Sequence, residues 1–128
     1  MSVLKRLKSY LEANKIPYEV VNHPKAYTAH DVAHTLDVPG KLVAKVVVVK
    51  ADQYFVMTVL PSTWRVDLKR LADVLEVRDV RLATEAEIGN LFPDCQVGTM
   101  PPFGNLYGVE VYVDQLLTED ESIVFEAG

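Results

Sequence analysis

Apolar residues recur at helical spacing in two segments of the N-terminal part of the chain, and each segment follows a residue that caps helices well. The first helix is predicted to begin after Ser2 and to end near Asn14. The second is predicted to begin after Thr28 and to end at Pro39-Gly40. Their apolar stripes are Leu4, Leu7, Tyr10 and Leu11 in the first helix, and Ala29, Val32, Ala33 and Leu36 in the second.

Two further helices are predicted in the second half of the chain. Asp67 is a good N-cap for a helix whose apolar stripe is Leu68, Leu71, Val74 and Leu75. Thr84 and Glu87 have the spacing of a capping box, which predicts a short fourth helix that ends near Phe92.

Runs rich in β-branched and aromatic residues predict β-strands at Ala44–Lys50 and Tyr54–Leu60. The three residues between them predict an antiparallel hairpin. The first strand is apolar on both faces, which is typical of a central strand. Shorter extended runs are Tyr18–Asn22, Val109–Val113 and Ser122–Glu126.

Together these elements predict an α+β fold, in which a mixed but mostly antiparallel sheet is flanked by helices. The length of 128 residues fits a single domain over residues 1–128. Cys95 is the only cysteine, so an internal disulfide is excluded and a reducing compartment is expected. No signal peptide or membrane-spanning run is visible, which predicts a cytoplasmic protein without a membrane partner.

Charge is divided unevenly along the chain. Residues 1–81 contain all 13 Lys and Arg and 9 acids, a balance of +4, whereas residues 82–128 contain 9 acids and no base; the net charge is therefore −5. Each phosphate that a protein neutralises adds affinity for nucleic acid, so this chain has too few bases for an extended footprint on DNA or RNA. The basic N-terminal part could still hold one end of an RNA.

Lys45 is the first candidate for chemistry, since it begins the most apolar strand and shares a face with Val47 and Val49. A lysine there either extends its ammonium to solvent from the strand end or faces a polar cavity. Spacing alone favours the first of these.

The second candidate is the loop Gly98-Thr-Met-Pro-Pro-Phe-Gly104. Its prolines stiffen the backbone and its glycines permit close approach, so the loop could present N–H groups to a developing oxyanion. The alternative is a rigid turn with Phe103 packed in the core.

Other catalytic arrangements have little support. His30 and His34 lie four residues apart on the predicted helix, but Asp31 stands where a zinc-protease helix needs Glu, and a third ligand is missing. No metal or other cofactor is therefore expected. Cys95 has no histidine arranged to activate it, and the chain has no nucleophile elbow, P-loop or dinucleotide fingerprint.

Several segments together resemble the YbaK/ProX family of aminoacyl-tRNA deacylases, which is related to the editing insertion domain of bacterial prolyl-tRNA synthetases. The resemblance spans roughly residues 16–128. The matching pieces, in the family's order, are Tyr27-Thr-Ala29, Leu36-Asp-Val38, Val43-Ala-Lys-Val-Val47, Val66-Asp-Leu68, Gly98-Thr-Met-Pro-Pro-Phe-Gly104 and Val111-Tyr-Val-Asp114.

The resemblance implies hydrolysis of the ester between a wrongly attached amino acid and the 3′ end of tRNA, without a protein nucleophile or a metal. It implies that Lys45 holds the terminal nucleotide or the ester region. It also implies that the backbone of residues Gly98 to Pro102 fixes the aminoacyl carbonyl. It implies the acceptor end of aminoacyl-tRNA as partner and allows a synthetase as a second one. The pocket walls that it implies are Thr28, Thr99, Met100, Pro102 and Phe103.

The chain departs from the family pattern in one place. Family members usually continue beyond the position of Ala127-Gly128, with a segment that often contains a histidine, whereas this sequence has none after His34. One alternative to a free-standing deacylase therefore stays open: a module that binds aminoacyl-tRNA ends or a synthetase without catalysis. A second alternative, based on the histidine pair, is a metal-dependent hydrolase that uses His30 and His34.

Overall fold

The structure, a computed structural model, describes residues 3–20, 42–95, 100–119 and 122–126. None of the helices in these ranges has the length and apolar content needed to cross a membrane. The elements, in chain order, are α1 (Val3–Ala13), β1 (Ala44–Ala51), β2 (Tyr54–Pro61), α2 (Leu68–Leu75), β3 (Val80–Leu82), α3 (Glu85–Leu91), a 3₁₀ helix (Gly104–Tyr107), β4 (Glu110–Val113) and a second 3₁₀ helix (Gln115–Glu119).

The four strands form one mixed sheet in the order β3-β1-β2-β4. β1 pairs antiparallel with β2 and with β3, and β4 joins β2 in parallel. The predicted hairpin, the central position of β1 and the α+β class are therefore confirmed. The hairpin turn is one residue shorter than predicted because Ala51 still pairs with Tyr54.

Asp52 joins the hairpin turn to the segment that leads into β3. Its backbone is left-handed (φ 52°), a conformation that Asp tolerates better than most residues. Its carboxylate accepts a 2.9 Å hydrogen bond from the backbone N–H of Asp79, just before β3. One side chain therefore secures both the hairpin turn and the start of the next antiparallel strand.

The two faces of the sheet bury separate apolar clusters. On one face, Val48 and its cross-strand partner Met57 pack with Phe92, which follows α3. On the other face, Val49 and its partner Val56 pack with three leucines of α2, Leu68, Leu71 and Leu75. Because successive residues of a strand point to opposite faces, the four consecutive valines of β1 supply both clusters.

The two predicted helix caps in the second half are confirmed. The side chain of Asp67 accepts a hydrogen bond from the backbone N–H of Arg70 at the start of α2. Thr84 and Glu87 form the reciprocal capping box at the start of α3. α1 also begins and ends where the sequence predicts.

Other predictions about the elements need correction. Ser122–Glu126 is not a full strand, because only Val124 forms a bridge, in parallel with Val43. Residues 18–20 form no regular element, and 21–22 lie outside the described residues. The helix predicted after Thr28 also lies outside them. β3 and both 3₁₀ helices were not predicted, since each is too short to show a period.

Shortening Met57 is expected to destabilise the protein strongly. This side chain is 0% exposed at the centre of β2, so Met57→Ala leaves a cavity and should lower the free energy of unfolding by about 2–5 kcal/mol. Val74→Ala is the matched control, because Val74 is 62% exposed on α2 and should change stability by less than about 0.5 kcal/mol. Urea unfolding of both variants measures the difference; equal losses would contradict the core described above.

Candidate functional site

Lys45 is the second residue of β1, and it lines a cavity of about 260 Å³. Its side chain is half-buried, on the face that packs against α2. The lining of the cavity combines apolar side chains with Arg65, which lies just before α2. The cavity is lined by Lys45, Val47, Arg65, Val66, Leu68 and Leu82.

The cavity is electropositive. Among the described residues that line it, two are cations and none is an acid. Partial burial lowers the pKa of Lys45, and the nearby positive charge of Arg65 lowers it further. Asp67, the acid that follows Val66 in the chain, uses its carboxylate to cap α2. An anion entering the cavity would relieve the repulsion between the two cations, so the arrangement suits a phosphate or another anionic group.

The described part of the predicted loop packs elsewhere. Met100 is buried in the cluster of Val48 and Met57, on the face of the sheet opposite Lys45. The ring of Phe103 makes edge-on contacts with Tyr10 (centroids 5.7 Å apart) and Phe125 (5.5 Å). Pro102 is half-buried, whereas Gly98, Thr99 and Thr28 lie outside the described residues. The role of these residues as pocket walls stays a prediction.

Gly104 ends the loop at a close backbone approach. A Cβ atom at this position would lie 2.7 Å from the carbonyl oxygen of Val109 and 2.8 Å from Cγ2 of Val111. The carbonyl oxygen of Gly104 also accepts a 2.9 Å hydrogen bond from the N–H of Val109. Any larger residue would therefore displace the loop from the start of β4.

A polar network joins α1 to both ends of the loop. The guanidinium group of Arg6 lies 2.9 Å from Oδ2 of Asp94, 4.6 Å from the ring centroid of Tyr107, and donates to the carbonyl oxygen of Leu106. The hydroxyl of Tyr107 donates to Oδ1 of Asp94 at 2.7 Å. Burial opposes ionisation of Asp94, but the hydrogen bonds from Tyr107 and Arg6 outweigh it and lower the pKa of the carboxyl group. The loop is thus closed at its base by a charged hydrogen-bonded clamp.

Cys95 belongs to this clamp and is poorly suited to attack. Its Sγ lies 3.3 Å from the hydroxyl of Tyr107. Burial raises the pKa of the thiol, and the neighbouring Asp94 carboxylate raises it further. Since the thiolate is the nucleophile, both effects disfavour covalent catalysis by Cys95.

The structure brings together residues that the sequence kept apart. Arg65 belongs with Lys45, but in the sequence it is only one base among several. Arg6 and Asp94 are 88 positions apart, so no periodicity pairs them. The one available signal was that Asp94 and Tyr107 flank the Pro-Gly loop. In the described ranges no three His, Cys, Asp or Glu residues are grouped to hold a metal ion, and His30 and His34 lie outside those ranges.

The sheet has a cationic cavity at the start of β1, which suits an anionic ligand. Comparisons with known proteins define the class of protein to which this fold belongs. Residues 23–128 match the model of the aminoacyl-tRNA editing domain. The chain belongs to this family. The resemblance drawn from the sequence motifs is therefore confirmed.

Relatives agree with this assignment. Over 84 residues, 66% of this chain, the sequence is 36% identical to the proline–tRNA ligase of Thiobacillus denitrificans, and the matched part is 14% of that ligase. The fold is similar to that of a protein described as a proposed trans-editing enzyme for prolyl tRNA synthetase (TM-score 0.82, 20% identity, 100% of this chain and 82% of that one). The hypothetical protein APE2540 is also similar (TM-score 0.82, 20% identity, 92% and 79%).

Removing the hydroxyl of Tyr107 is expected to weaken the clamp. Tyr107→Phe deletes the hydrogen bond to a charged carboxylate and should lower the free energy of unfolding by about 1–2 kcal/mol. Tyr112→Phe is the control, since the ring of Tyr112 is exposed on β4. Chemical denaturation compares the two variants, and no difference between them would mean that the clamp does not stabilise the loop.

The charge of Arg65 is expected to add to the effect of burial in lowering the pKa of Lys45. Arg65→Gln removes a positive neighbour, so the protonated ammonium is favoured and the pKa of Lys45 should rise towards its ordinary value. Arg78→Gln, a change at an exposed arginine outside the cavity, should leave it unchanged. NMR titration of the lysine Cε–Hε signals measures both, and a fall in the Arg65 variant would contradict the proximity of the two cations.

Proposed function

We propose that this protein is a free-standing deacylase that hydrolyses the ester bond of mischarged aminoacyl-tRNA. The observation that supports it most is the half-buried cation of Lys45 at a cavity, in a chain that belongs to the aminoacyl-tRNA editing domain family. The similarity to part of a proline–tRNA ligase makes tRNA for proline the first substrate to test.

In this proposal the chain supplies position and charge, and water or a group of the substrate attacks the ester. An aminoacyl ester is already reactive, so orientation and electrostatic stabilisation can provide the rate enhancement. The ammonium group of Lys45 binds the terminal nucleotide and orients the ester. The raised pKa of Cys95 supports a reaction without a protein nucleophile.

The backbone from Gly98 to Pro102 is proposed to fix the aminoacyl carbonyl. The support for this is the anchoring at both of its ends: the clamp of Arg6, Asp94 and Tyr107 at the base, and the close approach at Gly104. Thr28, Thr99, Met100 and Pro102 remain proposed contacts of the substrate. These contacts restrict the described part of the loop, residues 100–104, before any substrate binds, which favours precise placement of the ester.

Replacing the charge of Lys45 is expected to abolish most of the activity. Lys45→Met keeps an unbranched apolar stem but removes the ammonium, and kcat/KM should fall roughly 100-fold or more, as when an electrostatic contact to the reacting group is lost. The matched control is Lys50→Met on the same strand, because the ammonium of Lys50 lies over the ring of Phe55 on the opposite face.

The assay measures release of free amino acid from tRNA for proline charged with alanine, cysteine, serine or proline. Activity in EDTA is expected to equal activity in buffer, since the proposal assigns no step to a metal. Normal turnover by Lys45→Met would remove Lys45 from the site. Binding of the charged tRNA without release of any amino acid would instead identify the protein as a binding module.

A further inference from the structure

The turn after β2 presents the only tryptophan of the chain beside the cavity. Trp64 directly precedes Arg65 and is 54% exposed. The turn is held firmly: the N–H of Trp64 donates to the carbonyl oxygen of Pro61 at 3.0 Å, and the N–H of Ser62 donates to that of Val43 at 2.8 Å. Pro61 itself is fully buried. The backbone that bears this exposed side chain is therefore held next to the start of β1.

An aromatic ring beside grouped cations is the combination that single-stranded nucleic acids require. Bases stack on the ring, while Lys and Arg neutralise the phosphates between them. Lys45 and Arg65 line one cavity, and no acid is among the other described residues that line it, so this face offers two cations for a phosphate contact. The indole of Trp64 adds the second element, a platform for a base.

The exposure of the three side chains indicates how an RNA strand would be oriented at the site. Lys45 is half-buried at the inner end, whereas Arg65 and Trp64 are exposed at the outer end. A strand of RNA whose last nucleotide reaches Lys45 would place its preceding phosphate at Arg65 and a preceding base at Trp64. The 3′ terminus then lies inside and the rest of the RNA leaves towards solvent.

We propose that Lys45, Arg65 and Trp64 form a subsite for the unpaired 3′ end of RNA, in which Arg65 binds a backbone phosphate and Trp64 stacks on a base. This inference rests on the proposed function, because it names how the substrate is held at the same cavity. It adds two residues, Arg65 and Trp64, that determine binding rather than hydrolysis.

The fluorescence of Trp64 reports on the subsite directly, because no other tryptophan contributes. An uncharged minihelix with an unpaired 3′ end should quench it, whereas a blunt duplex of the same stem and inorganic phosphate should not. Equal quenching by inorganic phosphate would indicate a general anion site and overturn the proposal, as would equal quenching by the blunt duplex.

Variants then separate stacking from charge. Trp64→Leu should weaken binding of a 5′-labelled minihelix by roughly 5- to 150-fold, the range for loss of one base–aromatic stack, whereas Trp64→Phe should keep most of the affinity. Arg65→Gln should reduce the log–log salt slope by about 0.7, as expected for one phosphate of a single strand. Arg78→Gln is the control with the same loss of charge at an exposed position outside the cavity, and it should preserve affinity.

Hydrolysis is measured separately, so the two proposals can fail independently. The subsite predicts a raised KM with nearly unchanged kcat for Trp64→Leu, and thermal unfolding should show that the variant is folded. Folded Trp64→Leu and Arg65→Gln variants that bind like the wild type would overturn the subsite and leave the deacylase proposal intact. If the wild type hydrolyses no charged tRNA but its fluorescence is quenched by the unpaired end, the deacylase proposal fails and the subsite stands.

Discussion

The structure depends on burying both faces of β1 between two antiparallel neighbours. Val48 points to the cluster completed by α3, and Val49 points to the cluster completed by α2, so neither layer can form without this strand. Burial of apolar area on both faces is the largest favourable contribution that a short strand can make. It also fixes the register, because a shift of one residue would exchange the two faces and bring the ammonium of Lys45 towards the core.

The same alternation explains why a cation can stand at the start of so apolar a strand. α2 packs its leucines against the later part of β1, from Val47 to Ala51, and the cavity lies beside that packing at the Lys45 end. A half-buried ammonium there keeps part of its hydration while it is held by a rigid backbone. Rigid placement on a central strand suits the role proposed for Lys45, which is to orient a reactive ester.

The sequence predicted the elements with local signals and missed those defined by distant contacts. The caps Asp67 and Thr84 are local, because the side chain bonds to a backbone N–H three positions later, and both were predicted correctly. β3 has only three residues and exists because it pairs with β1 around the turn held by Asp52. Motif resemblance identified Lys45, but the grouping of Lys45 with Arg65 depends on how α2 returns across the sheet, which no spacing in the sequence specifies.

Charge separation along the chain limits how an RNA can approach the site. All Lys and Arg lie within residues 1–81, and the charged residues after position 81 are all Asp or Glu. Glu110 and Asp114, at the ends of β4, lie on the edge of the sheet away from β3 and its neighbour β1, which contains Lys45. Asp114 lies at the end of the sheet where Lys45 begins β1, with only β2 between them. Exposed charges act over about 8 Å at physiological ionic strength, so this acid repels phosphates that approach from the β4 side. In the proposed function, this distribution of charge favours contact with one unpaired end of a tRNA over contact along its length.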